Sequence, residues 1–339
     1  MLQVPITSRG ARRTKKPARR PGSLRVGLVN NMPDAALELT QKQFSEILCR
    51  AAPGGDAELC LFFLPGVSRG EKGETFLREH GYRSSETLSA GELDAIIVTG
   101  TEPKSANLRA EPYWKDFSAL CAFIDETRLP AVFSCLAAHA AVLHYDGIER
   151  HRLEDKNCGL FSHSIRVSHF LTAGMPSPAM IAHSRWHEVS AGALATHGYQ
   201  ILTAAPDAGV DLFIRERRGL QLFFQGHAEY DHDALLREYR RDVKRFLRRE
   251  CENYPRLPFG YFEAEHAEKL CAFRARARYE RSEALMEEFP APAPRAVAFE
   301  PPSTSIYRAW FDHIVERRVE LARATPAPRA KRAAAMAAK

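Results

Sequence analysis

Cys135 is the residue in this sequence best placed to act as a nucleophile. The run Leu129-Pro130-Ala131-Val132-Phe133-Ser134 is apolar and strand-like, stops at the thiol, and is followed at once by the helix-forming run Leu136-Ala137-Ala138-His139-Ala140-Ala141. A side chain on such a turn projects from the carboxyl edge of a parallel sheet, beside free helix N–H groups whose partial positive charge favours thiolate. The small residues at 137, 138, 140 and 141 let the helix lie close against the sheet. A buried cysteine that only packs is the ordinary alternative. The nucleophile needs a base, and the base an orienting partner. His227 comes straight after the strand-like residues 219–224, which bring it to the same sheet edge, and Glu229 lies two residues on, within reach of its imidazole. Gly226 permits close backbone approach. His139, His144, His163, His183 and His187 compete, each with a structural hydrogen-bonding role as its default. A second set is cationic: Lys156, Ser184-Arg185-Trp186 and Arg241 are of the types that grip a carboxylate, arginine bidentately, with surface solvation as the default for each.

These side chains need a scaffold with all their strand ends on one edge. Residues 24–29 read as a buried strand, Asn30-Asn31-Met32-Pro33 as a turn, and the stretch from Asp34 to Leu48 as a helix with one apolar face. A second strand follows at 58–64, and residues 68–90 read as loop with a short helix. The strand 93–100, a helix at 113–127 and the nucleophile strand continue the alternation, which predicts an α/β fold with a doubly wound, mostly parallel sheet flanked by helices. After His144 the pattern turns irregular and more β-like, with strands at 164–167, 200–204, 209–215 and 219–224, then a helix from Ala234 to about Cys251. The expected organisation is a basic disordered tail (1–23), one catalytic domain (24–262), a helical extension (263–289) and a Pro/Ala/Lys-rich flexible tail with a short helix around 306–321 (290–339).

A chain of 339 residues, 45% apolar, is long enough for one large α/β domain. No stretch approaches the roughly 20 apolar residues of a membrane span. The net charge of +6 sits largely in the two termini, without the interleaved aromatics of a nucleic-acid surface, so neither nucleic acid nor membrane is expected as a partner. Seven cysteines at irregular positions give neither a disulfide framework nor a metal-ligand spacing, which points to a reducing, cytoplasmic setting and no metal.

The residues 26–33, Val98-Thr99-Gly100, Tyr113-Trp114, Ser134-Cys135, Lys156, His183-Ser184-Arg185, Gly226-His227-Ala228-Glu229-Tyr230-Asp231, Glu238-Tyr239 and Arg241-Asp242 together resemble homoserine O-acyltransferases of the homoserine O-succinyltransferase type, in order and spacing across residues 24–262. The resemblance implies a fold like class I glutamine amidotransferases and the triad Cys135, His227 and Glu229. It implies succinyl-CoA or acetyl-CoA as co-substrate rather than a bound cofactor, L-homoserine as acceptor, and a homodimer. Lys156, Ser184, Arg185 and Arg241 would then bind the acceptor's carboxylate and neighbouring groups, with Glu238 on its amine or on the arginine. The Leu136 N–H at the helix start would hold the oxyanion.

Two positions depart from the family pattern. A lysine expected soon after the Asn-x-Met-Pro turn is missing, since Asp34-Ala35 follow Pro33, which leaves Asn31 as the candidate substitute donor. Lys104 stands where the family carries Gly or Glu, and a cation there would favour a dicarboxylic acyl group. Serine could replace homoserine, because one methylene is worth only about 1–3 kcal/mol. A cysteine hydrolase of amidotransferase type, and a weakened ligand-binding relative, are the competing readings.

Overall fold

The computed structural model describes residues 23–52, 57–290 and 302–324. The expected basic tail, up to residue 22, and the Pro- and Ala-rich stretches at 291–301 and 325–339 lie outside the described residues. Strand β1 (Leu24–Val29) leads into helix α1 (Leu37–Ala51), and β2 (Ala57–Phe63) returns beside it; α2 (Glu71–Glu79) and the short β3 (Arg83–Ser84) follow. Next come β4 (Ala95–Val98), α3 (Trp114–Thr127), β5 (Ala131–Ser134) and α4 (Leu136–Asp146), then a long hairpin of β6 (His151–Ile165) and β7 (Ala179–Glu188). The chain continues through α5 (Ala191–Thr196), β8 (Gln200–Ile201), β9 (Thr203–Ala205), β10 (Gly209–Val210), β11 (Leu212–Glu216), β12 (Leu220–Phe224), α6 (Ala234–Leu247), α7 (Ala264–Glu280) and α8 (Ser303–Ala324).

The main sheet runs β3-β2-β1-β4-β5-β12-β11-β8, parallel from β3 to β12 and antiparallel at β11. This is the expected doubly wound, mostly parallel α/β architecture. Chain order reverses between β1 and β4, and β5 stands next to that switch point, where such sheets bind ligands. Ser134 pairs in register with Phe224, so the residues after β5 and after β12 leave the sheet side by side.

Two cores sandwich this sheet. On one face Val29, Ile96, Val98, Phe133 and Phe223 pack under α3, α4 and α5. On the other, Val26, Leu28, Ile97, Val132, Leu222 and Phe224 pack under α1 and α8. The segment expected as a flexible tail with a short helix therefore includes a 22-residue helix that packs on this sheet face beside α1, with Trp310, Tyr307 and Phe311 fully buried. The helical extension is docked as well: Leu270, Phe273 and Ala277 of α7 share a core with Tyr239, Val243 and Phe246 of α6. A second sheet, β10-β9-β6-β7, stands beside the first. Among the described residues no helix is long and apolar enough to cross a membrane.

Candidate active site

Cys135 is the one residue between β5 and α4, and its backbone (φ 52°, ψ −113°) is in a region that non-glycine residues avoid, at a cost of about 1–3 kcal/mol. Two contacts hold it there. Its N–H donates to the Phe224 carbonyl at 2.8 Å, and Ala137, Ala138, Ala140 and Ala141 are all buried, which lets α4 sit close behind it. The thiol stays partly exposed, unlike Cys121, which burial closes off entirely and pushes up in pKa.

Three residues beyond Phe224, His227 presents its Nδ1 2.8 Å from Glu229 Oε1, and both side chains are under a tenth exposed. Ser134 Oγ donates to the second Glu229 oxygen at 3.3 Å, so the carboxylate is fixed from two sides. Burial opposes charge on His227, but Cys135 and Glu229, as charges and as hydrogen-bond partners, outweigh it and hold the imidazole well above its ordinary value. Geometry and electrostatics thus unite Cys135, His227 and Glu229. Glycine at 226 is required sterically: a Cβ there would lie 2.7 Å from the Ala182 carbonyl oxygen and 2.8 Å from Asp211 Oδ1. Asp211, which accepts the Gly226 N–H at 2.7 Å, has its carboxyl pushed up to about 6 by burial, against the pull of that N–H and Arg185. Its sequence signal was slight, a single charge in an otherwise apolar run.

Beside this group lies a second one, built on Glu238 of α6. Ser184 Oγ donates to Glu238, Lys156 Nζ lies 3.5 Å from it and 3.0 Å from Asp242, and Arg241 reaches both carboxylates. Burial disfavours the Glu238 carboxylate, yet Lys156, Arg241, His227 and the Ser184 hydroxyl pull its pKa down to about 2. Lys156 sits in a register shift of β6 between Arg152 and Asn157, an irregularity of the kind that re-aims a side chain. Tyr230 joins the two groups: its ring stacks on His227 at 4.1 Å between centroids, and its hydroxyl bonds Glu238.

Arg185 is not bonded to Glu238, although its charge is felt at Cys135 and Asp211. Strand alternation puts it on the opposite face of β7 from Ser184. There its guanidinium bonds the His187 and Ala208 carbonyl oxygens and Glu188, and Nε donates to His183 Nδ1 at 3.3 Å. Three of the competing histidines are likewise engaged in structure: His139 Nε2 lies 3.0 Å from Gln225 Oε1, and His163 and His183 face each other at 2.9 Å.

Around the nucleophile, the expected Asn31 oxyanion donor proves to be a clasp between strand ends. Its Nδ2 donates to the Thr99 carbonyl at 3.0 Å, its N–H to Thr99 Oγ1 at 2.8 Å, and its Oδ1 accepts the Leu64 N–H at 3.3 Å. Asp34, at the position of the missing lysine, pairs with Arg69, which also donates to the Asn30 and Met32 carbonyls and braces the turn. The Leu136 nitrogen lies at the start of α4, directly after Cys135. Gly100 faces it so closely that a Cβ there would come 2.9 Å from the Leu136 nitrogen, so glycine keeps the space before that N–H open. Lys104 is exposed on the loop between β4 and α3. Arg150 carried no sequence signal, yet its Nε is buried without a partner, and burial lowers its pKa against the charges of Tyr113 and Cys135. Among the described residues no group of three or more His, Cys, Asp or Glu could hold a metal ion.

A family model described as homoserine O-succinyltransferase matches residues 6–285. A homoserine O-succinyltransferase of Methylorubrum extorquens is 44% identical over 88% of this chain and 89% of its own. Those of Rhodopseudomonas palustris and Bradyrhizobium japonicum are 43% and 39% identical, over 85% and 91% of this chain and 87% and 98% of theirs. Among solved structures, a glutamine amidotransferase from Thermotoga maritima aligns with a TM-score of 0.49 at 12% identity, over 86% of this chain and 98% of that one. A family match over this much of the sequence, with relatives this similar along nearly their whole length, means that the chain belongs to the homoserine O-succinyltransferase family.

Proposed function

We propose that this enzyme moves an acyl group, succinyl by the name its relatives carry, from a CoA thioester through Cys135 to the hydroxyl of L-homoserine, a step in methionine synthesis. The observation that carries the reading is Tyr230, stacked on the base and bonded to Glu238, which couples a cysteine–histidine–glutamate group to a charged acceptor cluster. A hydrolase has no use for that cluster.

The Cys135 sulfur attacks the thioester carbonyl, and the Leu136 N–H receives the oxyanion. As the carbon–sulfur bond to CoA breaks, His227 gives its proton to the departing sulfur. Homoserine then binds with its ammonium at Glu238 and its carboxylate at Arg241 and Lys156. His227, now neutral, removes the hydroxyl proton, the oxygen attacks the acyl carbon, and Cys135 leaves as thiolate with the proton back on His227. Two easier steps replace one hard one, and none asks for a resident cofactor. Arg185, facing away from Glu238, supports the wall behind His183 rather than the substrate. Lys104 meets the distal carboxylate of the acyl group. The enzyme works in the cytoplasm as a homodimer, which light scattering on the purified protein checks.

Intact-protein mass after mixing with succinyl-CoA or acetyl-CoA tests the whole scheme. A succinyl adduct is expected on the wild type, absent from Cys135→Ala and discharged by homoserine; Lys104→Glu shifts the adduct yield towards acetyl. No adduct and no ester product under any pairing would overturn the reading, and an adduct discharged only by water would favour the hydrolase.

A further inference from the structure

The first turn of α8 lies against the back of the catalytic pair. Pro302, Ser303 and Ile306 close a narrow seam with Phe224, His227, Ala228 and Asp211. One turn on, the Tyr307 ring stacks on Phe224, with centroids 6.2 Å apart and planes 12° apart, and is 1% exposed. Phe224 is the residue whose carbonyl accepts the Cys135 N–H, and it pairs with Ser134, which donates to Glu229. A single aromatic contact from α8 therefore bears on the nucleophile's backbone and on the carboxylate's support at once. None of this helix falls within residues 6–285, which the family model matches.

We propose that α8 is part of the catalytic apparatus, with Tyr307 a positioning residue whose ring holds the β12 end so that Cys135, His227 and Glu229 stay in register and water stays out from behind them. The Tyr307 hydroxyl is buried without a partner, so the ring is the working part. Burial, followed by the Glu229 charge, drives that hydroxyl well above the ordinary tyrosine value, so it stays neutral and adds no competing charge. The other groups facing His227 are Cys135 from the elbow, Glu229 and Tyr230 from its own loop, Asp211, His183 from β7 and Glu238 from α6. At the rear of this ring the seam is apolar, with Pro302 and Ile306 on the α8 side facing Met180, Ile181 and Ala182 of β7.

The inference rests on the reading of these three residues as catalytic, and one of its readouts needs no substrate. Tyr307→Ala, Tyr307→Phe and Ile314→Ala are compared in the full chain; Ile314 is buried two turns further along α8 and serves as the stability control. Tyr307→Ala is expected to lower kcat on the order of 10- to 100-fold with KM for both substrates within about twofold. It also shifts the pH profile of Cys135 alkylation by iodoacetamide upward. Tyr307→Phe restores both, and Ile314→Ala lowers Tm while leaving both unchanged. The proposal is overturned if Tyr307→Ala behaves as Ile314→Ala does in kcat and alkylation, or if Tyr307→Phe is as slow as Tyr307→Ala. A wild type that never forms an acyl adduct would defeat the functional reading instead, and the alkylation profiles would still decide the role of α8.

Discussion

At residue 100 a hydrogen atom does what no side chain could. Its backbone runs so near the start of α4 that a methyl group would lie 2.7 Å from Leu136 Cβ and 2.9 Å from the nitrogen proposed to hold the oxyanion. Gly100→Ala is therefore expected to cut kcat on the order of 100-fold or more, the effect of losing one oxyanion donor, without abolishing folding. Stopped-flow release of CoA measures it, and a variant that acylates at the wild-type rate would move the oxyanion elsewhere. Cys135, His227 and Glu229 were legible in the sequence because each follows a short apolar strand that ends abruptly, and such strands in a parallel sheet deliver their next residues to one edge. Arg185 was not, for an equally physical reason. Strand β7 shows no clean alternation, so nothing in Ser184-Arg185 says that adjacent side chains will face opposite ways, one towards Glu238 and the other into carbonyl groups of its own chain. Asn31 misled in a similar way: a donor beside a strand end looks free until its partners on the neighbouring strands are known.

Among the elements that escaped the sequence are the β6–β7 hairpin and the full extent of α8. In β6 the run HRLEDKNC is almost wholly polar because the strand is exposed at its outer end, and period-2 patterning needs one buried face. The same irregular stretch is what turns Lys156 towards Glu238. In α8, Ile306, Tyr307, Trp310, Phe311 and Ile314 form a helical stripe plain enough to mark a helix, but the Pro- and Ala-rich flanks made it read as an appendage. Its burial says otherwise. Trp310→Ala, which empties a fully buried site between α8 and the sheet, is expected to cost about 3–5 kcal/mol. Urea unfolding gives the value directly, and a loss below about 1 kcal/mol would mean that the helix is a loosely held cover.

For the whole molecule, acid should be more damaging than alkali, and the buried histidines say where. Burial, helped in each case by nearby arginine charge, lowers His139 to about 3 and His163 and His187 to about 4, and holds His183 well below its ordinary value. Each folded-state value lies below the unfolded one, so between them the unfolded chain binds more protons and stability rises with pH. Asp211 works in the opposite sense: at about 6 it is raised, and between the ordinary carboxylate value and 6 the folded state binds the extra proton. One carboxyl against four imidazoles leaves the histidines dominant. Glu238, pulled down to about 2, acts with them once the pH falls below the ordinary carboxylate range. His227, raised, opposes this trend only near the upper end of the window, where the unfolded imidazole has begun to lose its proton; about a unit lower it is protonated in both states and leaves the slope unchanged. Tm is therefore expected to fall steadily as the pH drops from about 6.5 towards 4. His139→Asn, which removes one buried titrating ring, makes that slope shallower even if it lowers Tm overall. A Tm that holds level or climbs on acidification would show that Asp211 outweighs the histidines. Because Glu238 stays ionised across the whole range, activity lost at pH 4.5 should follow the unfolded fraction and return on neutralisation, rather than reflect titration of the acceptor site.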